Sequence, residues 1–389
     1  MAAATQPDAQ EPESTVTPHA PDPLGAIRLQ LPATVTVKRG PDITSTESIG
    51  GVPNFFGPLL EFGMKYGQSP YAAFQDRVLV RRFSRVVDSD ETSQYLLWDP
   101  VDGTYELMWE GEPHKQDWFA EVDGDWIPTV RFGLSLPFPG WTLSLRNLVT
   151  DEIRTLAKSD DDVLSVRGLA IGLPLGLAPY PSIHSGQVVW CEWAFGEDGQ
   201  VHKYLRLYDV AAKTTRTVVT VDDPRIEDIR EPSLGGTRLA WIHDRNDWEE
   251  SQIVVLDLVT GDERRFVADA IPYRGRISAD GRYFAFDIEY RAKYALEIDT
   301  LKVDRFASDE GDQIVVTNDG VSWLPGGGAS ARAGYYDFDA RTVRLTAGNG
   351  GNAGGLLGNG LFYFREFTVD ERGQEIEELT TYYIIDIAR

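Results

Sequence analysis

The sequence predicts an all-β fold, a seven-bladed β-propeller, and three observations support this prediction. Extended apolar runs separated by short turns of Asp and Gly fill the chain, and helical periodicity is hard to find in it. Residues 252–266 and 275–286 together hold four such runs in series, enough for one four-stranded antiparallel sheet. The same unit recurs at intervals that suit propeller blades.

Each predicted blade carries an Asp or Asn where its third strand ends. The seven anchors, about 48 residues apart on average, are Asp99, Asn147, Asp209, Asp257, Asp299, Asp337 and Asp386. A side-chain oxygen at this position can accept hydrogen bonds from the backbone N–H groups of the turn that follows. We therefore assign these residues to structure and not to catalysis, and seven anchors predict seven blades.

A second recurring piece is a turn that leads into each hairpin. It reads Tyr-Pro-Ser-Ile-His-Ser-Gly at 180–186, Glu-Pro-Ser-Leu-Gly-Gly at 231–236 and Gly-Arg-Ile-Ser-Ala-Asp-Gly at 275–281. With the apolar strand that follows, this repeat resembles that of TolB-like β-propellers over residues 75–389. The resemblance implies a fold that serves both binding scaffolds and enzymes. The turns are degraded in the first two blades, which leaves six or eight blades as alternatives.

The beginning of the chain divides into two parts. Residues 1–28 are rich in Pro, Ala, Glu and Asp, which predicts a disordered acidic tail. Residues 29–75 are predicted to hold a closing strand at 33–38 and a Gly/Pro/aromatic-rich packing or docking segment, followed by a propeller at 76–389. Only three strands are evident in the last blade, so we predict that the strand at 33–38 completes it and closes the ring.

Composition narrows the classes of function. The formal charge of −24 would repel nucleic acids and anionic lipid surfaces, and it indicates an acidic, soluble chain. No basic and apolar leader starts the sequence, and no run approaches the roughly eighteen apolar residues of a membrane span. We therefore expect a cytoplasmic protein, unless an export signal has been removed. The single cysteine, Cys191, lies in an apolar strand and is expected to be a buried, inert thiol.

Signatures of catalysis or of metal binding are weak. The chain has no Gly-x-Ser-x-Gly motif, which argues against a serine hydrolase. Its five histidines are too scattered to predict a metal site, and the acidic clusters at 123–125, 160–162 and 244–250 lack the order of an EF-hand. The Gly-rich runs at 324–328 and 348–355 are not followed by helices that could hold a phosphate. We predict no metal and no cofactor.

Candidate binding residues come from the long connections between the second and third strands of a blade. In a propeller these connections surround one end of the central channel, and several carry aromatic and charged side chains of the kind found at binding hot spots. The candidates are Glu192, Trp193, His243, Asp244, Arg245, Trp248, Tyr290, Arg291, Arg365 and Glu366. An extra apolar segment at 163–180 is expected either to cover the core or to meet a partner.

Two functions are compatible with these features. The first is a non-catalytic binding or assembly module that recognises a protein partner or another ligand, with carbohydrate as an option, on the loop face around the channel. The alternative is a carbohydrate-active lyase or hydrolase that uses carboxylates such as Glu192, Asp244 or Glu366 at the channel mouth. An enzyme should have a deep axial pocket with at least two carboxylates or a metal in contact range. A binding module should have a plugged or shallow channel and an apolar patch around residues 50–66 or 165–178.

Overall fold

The computed structural model describes fifteen segments of the chain: 25–53, 65–85, 93–112, 115–119, 121–133, 140–159, 179–223, 227–245, 250–288, 292–308, 311–325, 332–347, 354–358, 360–372 and 375–386. Within them the strands form seven sheets, and the predicted seven-bladed propeller is confirmed. The one helical element in these segments is the 3-10 turn Ser45–Glu47, and no helix there is long and apolar enough to cross a membrane. The predicted tail up to residue 24 and the apolar stretch at 163–178 lie outside the described residues.

Each blade is built from consecutive strands in antiparallel order. Blade 1 consists of β4 (Lys65–Phe74), β5 (Arg77–Arg85), β6 (Ser93–Trp98) and β7 (Tyr105–Glu110), and blade 2 consists of β8 (Lys115–Phe119), β9 (Trp126–Gly133), β10 (Trp141–Asn147) and β11 (Ile153–Lys158). Blade 3 consists of β12 (Ser182–His184), β13 (Gln187–Phe195), β14 (Val201–Asp209) and β15 (Thr214–Val221). Blade 4 consists of β16 (Glu227–Gly235), β17 (Arg238–Arg245), β18 (Glu250–Asp257) and β19 (Glu263–Val267). The first blade thus starts at Lys65, before the boundary at residue 76 that the sequence suggested.

Blades 5 to 7 follow the same plan. Blade 5 consists of β20 (Pro272–Ile277), β21 (Tyr283–Ile288), β22 (Ala292–Glu297) and β23 (Lys302–Ala307). Blade 6 consists of β24 (Gly311–Val316), β25 (Gly320–Pro325), β26 (Gly334–Asp337) and β27 (Thr342–Leu345). The chain contributes β28 (Gly354–Gly358), β29 (Leu361–Val369) and β30 (Glu375–Asp386) to blade 7. Three short N-terminal strands join these sheets: β1 (Ile27–Arg28), β2 (Lys38–Arg39) and β3 (Ser48–Pro53). β1 runs parallel to β19, and β2 runs parallel to β27.

An N-terminal strand completes the last blade, as predicted, but the segment chosen from the sequence was wrong. β3 pairs antiparallel with β30, whereas 33–38 ends in β2, at the edge of blade 6. Because Gly and Pro usually weaken strands, the sequence Gly50-Gly-Val-Pro53 predicts part of a packing segment and not a strand. Here a Cβ at Gly50 would lie 2.6 Å from the Trp98 ring, and Pro53 ends an edge strand, where the missing N–H costs little.

Five of the seven predicted anchors accept hydrogen bonds from the turn that follows the third strand, as expected. Hydrogen bonds from turn N–H groups to the anchor side chain occur at Asp99, Asn147, Asp209, Asp257 and Asp337. In blade 5 the equivalent residue is Glu297 and not Asp299, since the Leu301 N–H donates to the Glu297 carbonyl as the Gly261 N–H does to that of Asp257.

The serines of the lead-in turns join neighbouring blades. Ser182 Oγ accepts a hydrogen bond from Leu234 N at 3.2 Å, and Ser233 Oγ accepts one from Ile277 N at 3.0 Å. Both serines are buried, and most of the apolar clusters of the core lie between adjacent blades in the same way. The serine of the repeat motif therefore joins blade 3 to blade 4, and blade 4 to blade 5, through a buried hydrogen bond.

Candidate functional site at the channel mouth

The first strand of each blade lies next to the propeller axis. This follows from the contacts that successive first strands make with one another, from β12 to β16, β20, β24, β28 and then β4. Each first strand enters from the loop face, defined here as the side where second strands turn into third strands, as at 196–200. Residues early in a first strand therefore lie nearer the loop face than residues late in it.

Side chains from opposite sides of the ring meet across the axis. Glu121 follows the first strand of blade 2, and Arg276 lies in the first strand of blade 5. The Arg276 guanidinium Nη1 and the Glu121 Oε1 are 3.8 Å apart, while the Ser182 hydroxyl donates to Glu121 Oε2 at 3.0 Å. Because blades 2 and 5 face each other in a ring of seven, this ion pair spans the channel and obstructs it at that level.

On the loop-face side of this ion pair lie Tyr180, Glu231 and Arg274, which come two residues before Ser182, Ser233 and Arg276 in the innermost parts of blades 3, 4 and 5. Burial, reinforced by the Glu231 charge and opposed by the Arg274 and Arg276 charges, raises the pKa of the Tyr180 hydroxyl. Glu231 has a φ of 52° at a bulge in β16, a left-handed conformation that is uncommon outside glycine. Together with Glu121 and Arg276 these residues form the axial cluster. Three of them, Tyr180, Glu231 and Arg276, lie in the lead-in turns of the repeat, yet nothing in the sequence indicates that they converge.

Two of the predicted residues, Glu192 and Trp193, lie near the end of β13 in blade 3. Glu192 accepts hydrogen bonds from Trp190 Nε1 and Arg206 Nε, both at 2.8 Å. The ammonium of Lys203 lies 5.2 Å from the centre of the Trp193 ring, and it also pairs with Asp228 of blade 4 at 2.5 Å. Both predicted side chains are thus parts of structural networks at the edges of blade 3.

Asp244 forms the most buried ion pair of the predicted set. Its carboxylate accepts two hydrogen bonds from Arg230, at 2.5 and 3.1 Å, and another from the Ser251 hydroxyl. Arg230 also donates to the Pro272 carbonyl of blade 5 and lies over the Tyr273 ring. Asp244 therefore fixes the position of Arg230, and Arg230 in turn connects blade 4 to blade 5.

His243 and Arg245 share Glu227 as a neighbour. The His243 Nε2 lies 3.8 Å from Glu227 Oε2, and the Arg245 Nε donates to Glu227 Oε1 at 3.2 Å. Burial, the largest influence, lowers the pKa of His243, and Glu227 opposes that effect. The imidazole is accordingly neutral at physiological pH.

The remaining predicted residues do not join this group. Arg365 and Glu366 lie in β29 of blade 7, opposite Tyr382 and Thr381. Three further candidates lie outside the described residues: Trp248, Tyr290 and Arg291. Five of the predicted residues therefore lie in two adjacent blades: Glu192 and Trp193 in blade 3, and His243, Asp244 and Arg245 in blade 4. Their side chains take part in separate contacts and do not line one common pocket.

Asp287 is a buried carboxylate next to the axial cluster. The Arg274 N–H donates to its Oδ1 at 3.2 Å, and Lys293, which is also fully buried, occupies the cross-strand position. Burial raises the pKa of Asp287 to about 6, against the opposing charges of Lys293 and Arg274. At neutral pH this side chain is therefore mostly ionised, and its ionisation costs the folded chain stability relative to the unfolded chain, in which the carboxylate is hydrated.

This pKa predicts a pH dependence of stability. The folded chain binds an extra proton between the ordinary aspartate pKa, near 4, and about 6, so stability falls as pH rises through that window. Above it the loss amounts to about 3 kcal/mol, at about 1.4 kcal/mol per pKa unit. Asp287→Asn should match the wild type at pH 4 and exceed it by about 3 kcal/mol at pH 7.5. Urea unfolding over a pH series measures this, and a constant difference between the two chains would contradict it.

Within the described residues, no group of three or more His, Cys, Asp or Glu side chains is arranged to hold a metal ion. Cys191 is buried as predicted, and burial raises the pKa of its thiol to about 12. A thiol in this state is a poor nucleophile.

Comparison with known proteins supports the fold. No protein-family model matches the chain, and no curated protein matches it. Among solved structures, the β-propeller domain of the Trilobed protease from Pyrococcus furiosus is similar with a TM-score of 0.53 and 9% identity, covering 81% of this chain and 94% of that one. An oligogalacturonate lyase in complex with manganese has a TM-score of 0.53 and 9% identity, over 90% and 98% of the two chains.

TolB from Acinetobacter baumannii also matches, with a TM-score of 0.43 and 13% identity over 72% of this chain and 81% of TolB. At such identities the similarities concern the fold alone. The propeller that the TolB-like repeat implies is confirmed, and its blades have the number predicted from the anchors.

Proposed function

We propose that this propeller is a non-catalytic binding module that recognises a protein partner on its loop face. The observation that carries the proposal is the ion pair between Glu121 and Arg276, which obstructs the axis where a propeller enzyme would need a deep pocket. A closed channel leaves the surface around its mouth as the place for recognition.

The engagement of the candidate carboxylates supports the same proposal. A general acid or base must be able to reach the substrate, within hydrogen-bond distance. Asp244 is buried and bonded to Arg230 and Ser251, and Glu192 is bonded to Arg206 and Trp190. Releasing either carboxylate would leave an arginine without its partner in a partly buried place, which is costly.

The alternative, a carbohydrate-active lyase or hydrolase, has the fold of the oligogalacturonate lyase in its favour. That likeness concerns the scaffold, and sites differ widely on one scaffold. Since no specific arrangement of the described residues favours this chemistry, it ranks second. A cytoplasmic location and the exclusion of nucleic acid as a partner stay predictions from composition.

Aromatic and cationic side chains towards the loop face of blades 3 and 5 supply the means of recognition. Tyr180, Trp193, Tyr273 and Arg274 are each at least partly exposed. Arg230 and Arg274 lie 5.0 and 6.0 Å from the Tyr273 ring centre, which holds that ring in place. Tyrosine, tryptophan and arginine on a rigid support are the residue types that dominate protein–protein hot spots.

A comparison of the two faces tests the proposal. Wild type, a loop-face variant (Tyr180→Ala with Arg274→Ala) and an opposite-face control (Val259→Ser) would be used to retrieve partners from a lysate of the source cells, with cross-linking and mass spectrometry. Val259 is 77% exposed in a turn remote from the loop face, so its replacement should leave the fold intact. We expect one partner that cross-links to the loop face, is retained by the control and is lost at least about tenfold from the loop-face variant. A monomer without a retained partner, or equal retention by all three chains, would refute the proposal.

A further inference from the structure

Blade 2 has one apolar face and one polar face. In β10 the residues Trp141, Leu143 and Leu145 are buried against blade 3, where Val188 and Trp190 join the same cluster. The alternate residues of β10 face blade 1 and are only half-buried. In blades 4 and 5, by contrast, the third strands β18 and β22 are buried on both faces over most of their length.

The polar face is organised in rows across the sheet. Cross-strand pairing places Asp117, Arg131, Thr142 and Lys158 in one row. The next row contains Thr129, Ser144 and Thr155, and Arg146 follows beyond it. In a propeller such a face would ordinarily pack against the preceding blade with apolar side chains. Here it leaves the blade 1–2 crevice, a cavity of about 260 Å³ that Trp109 of blade 1 also lines.

Three hydroxyl groups in this crevice are available for a ligand. Thr142, Ser144 and Thr155, called the hydroxyl row here, make no side-chain hydrogen bond to any part of the chain that the structure describes. Lys158 stands directly across from Thr142 and likewise has no ion-pair partner within the described segments. A row of unpaired donors and acceptors beside an unpaired cation can hold a polar, negatively charged ligand.

The charge of the crevice is unusual for this chain. Four cationic side chains (Lys115, Arg131, Arg146 and Lys158) and two carboxylates (Glu112 and Asp117) line it, although the whole chain carries −24. The carboxylates are bonded to Arg131 and Lys115, which leaves the end near Lys158 positive. Burial, together with the nearby Arg131 charge, lowers the pKa of Arg146, and Asp151 opposes this. Positive charges that repel one another in a partly enclosed space favour an anion.

We propose that the blade 1–2 crevice binds a small anion, with its phosphate, sulfate or carboxylate group paired to Lys158 and its neighbouring polar groups hydrogen-bonded to the hydroxyl row. The cavity is smaller than the roughly 300–1,000 Å³ of sites for drug-sized ligands, which suits a molecule no larger than a single sugar. The site opens at β11, the outermost strand of blade 2, towards the loop-face end of that strand, and it shares no residue with the aromatic and cationic group that the proposed function uses.

Calorimetric titration of the full chain tests the inference, with inorganic phosphate, sulfate and D-glucuronate as probes and D-glucose as an uncharged control. We expect at least one of the three anions to bind at one site per chain and glucose not to bind. Lys158→Gln should weaken that binding about tenfold, and Ser144→Ala should weaken it by a smaller factor. Tighter binding of glucuronate would identify a hydroxylated carboxylate as the ligand class, and tighter binding of phosphate or sulfate would identify a tetrahedral oxyanion.

A matched control is available in the crevice between blades 5 and 6. That cavity, of about 200 Å³, is lined by Lys302 but also by the carboxylates of Glu297, Asp304 and Asp339. Lys302→Gln should leave anion binding unchanged. Because the Lys158 side chain is exposed, its replacement should not alter the melting temperature. Absence of binding by all three anions, equal binding of glucose, or equal weakening by Lys158→Gln and Lys302→Gln would overturn the inference.

Discussion

Val52→Asp is expected to open the propeller ring and to cost about 4 kcal/mol or more of unfolding free energy. Val52 is fully buried in β3, opposite Tyr382 of β30, and it belongs to a cluster with Val80 and Trp98 of blade 1. A carboxylate there would be buried without a partner in the strand that joins the first and last blades. Blade 7 would lose its outermost strand and blade 1 would lose part of its packing surface.

Urea unfolding measures this loss, and limited proteolysis tests its location, because the N-terminal segment should become the first site of cleavage. Val35→Asp is the matched control: the side chain is 44% exposed, and the same substitution there should cost less than about 0.5 kcal/mol. A Val52→Asp chain within 1 kcal/mol of wild type would show that β3 does not close the ring.

Gly235→Ala should destabilise the chain by about 3 kcal/mol or more, at the contact between blades 4 and 5. A Cβ at Gly235 would lie 1.9 Å from the carbonyl oxygen of Ser278, and this obstacle is backbone that cannot rotate away. The two turns are already joined by a hydrogen bond of 2.7 Å from Gly236 N to the Ala279 carbonyl. The turns would therefore have to separate, and the apolar cluster behind them would be disturbed.

Gly261→Ala separates this steric effect from conformational strain. Gly261 has a φ of +79°, and its Cβ would meet no atom within 4 Å, so alanine there should cost only about 1 kcal/mol. Thermal unfolding of both variants gives the comparison. Equal melting temperatures for Gly235→Ala and Gly261→Ala would contradict the close packing of the two turns.

The sequence predicted those parts of the fold that depend on local chemistry. The anchors at Asp99, Asn147 and Asp257 were identified because turn N–H groups need an acceptor wherever a third strand ends. The burial of Cys191 followed from the apolar strand around it. These features repeat at a regular interval, and repetition is visible in one sequence.

Features that depend on distant partners were missed. In the sequence, Gly50 and Pro53 indicate that no strand forms at this point. Their presence in β3 is explained only by the Trp98 ring, which leaves no room for a side chain at Gly50, and by the edge position of the strand that ends at Pro53. Glu121 and Arg276 are unremarkable in sequence, and only ring closure places them across one axis. Apolar and polar residues alternate in the sequence of Trp141–Asn147, and such alternation indicates a strand with one buried face and one polar face. It pointed to the polar face of blade 2, but not to the crevice.

A double-mutant cycle on Glu121 and Arg276 tests the closed axis most directly, because the two residues can interact only if blades 2 and 5 face each other across a narrow channel. Urea unfolding of wild type, Glu121→Gln, Arg276→Gln and the double variant gives their coupling energy. The partly exposed pair should give at least about 0.5 kcal/mol of favourable coupling, and Glu121→Gln combined with Arg282→Gln should be additive. Additive losses for Glu121 and Arg276 as well would contradict an obstructed channel and remove the main support for a binding module.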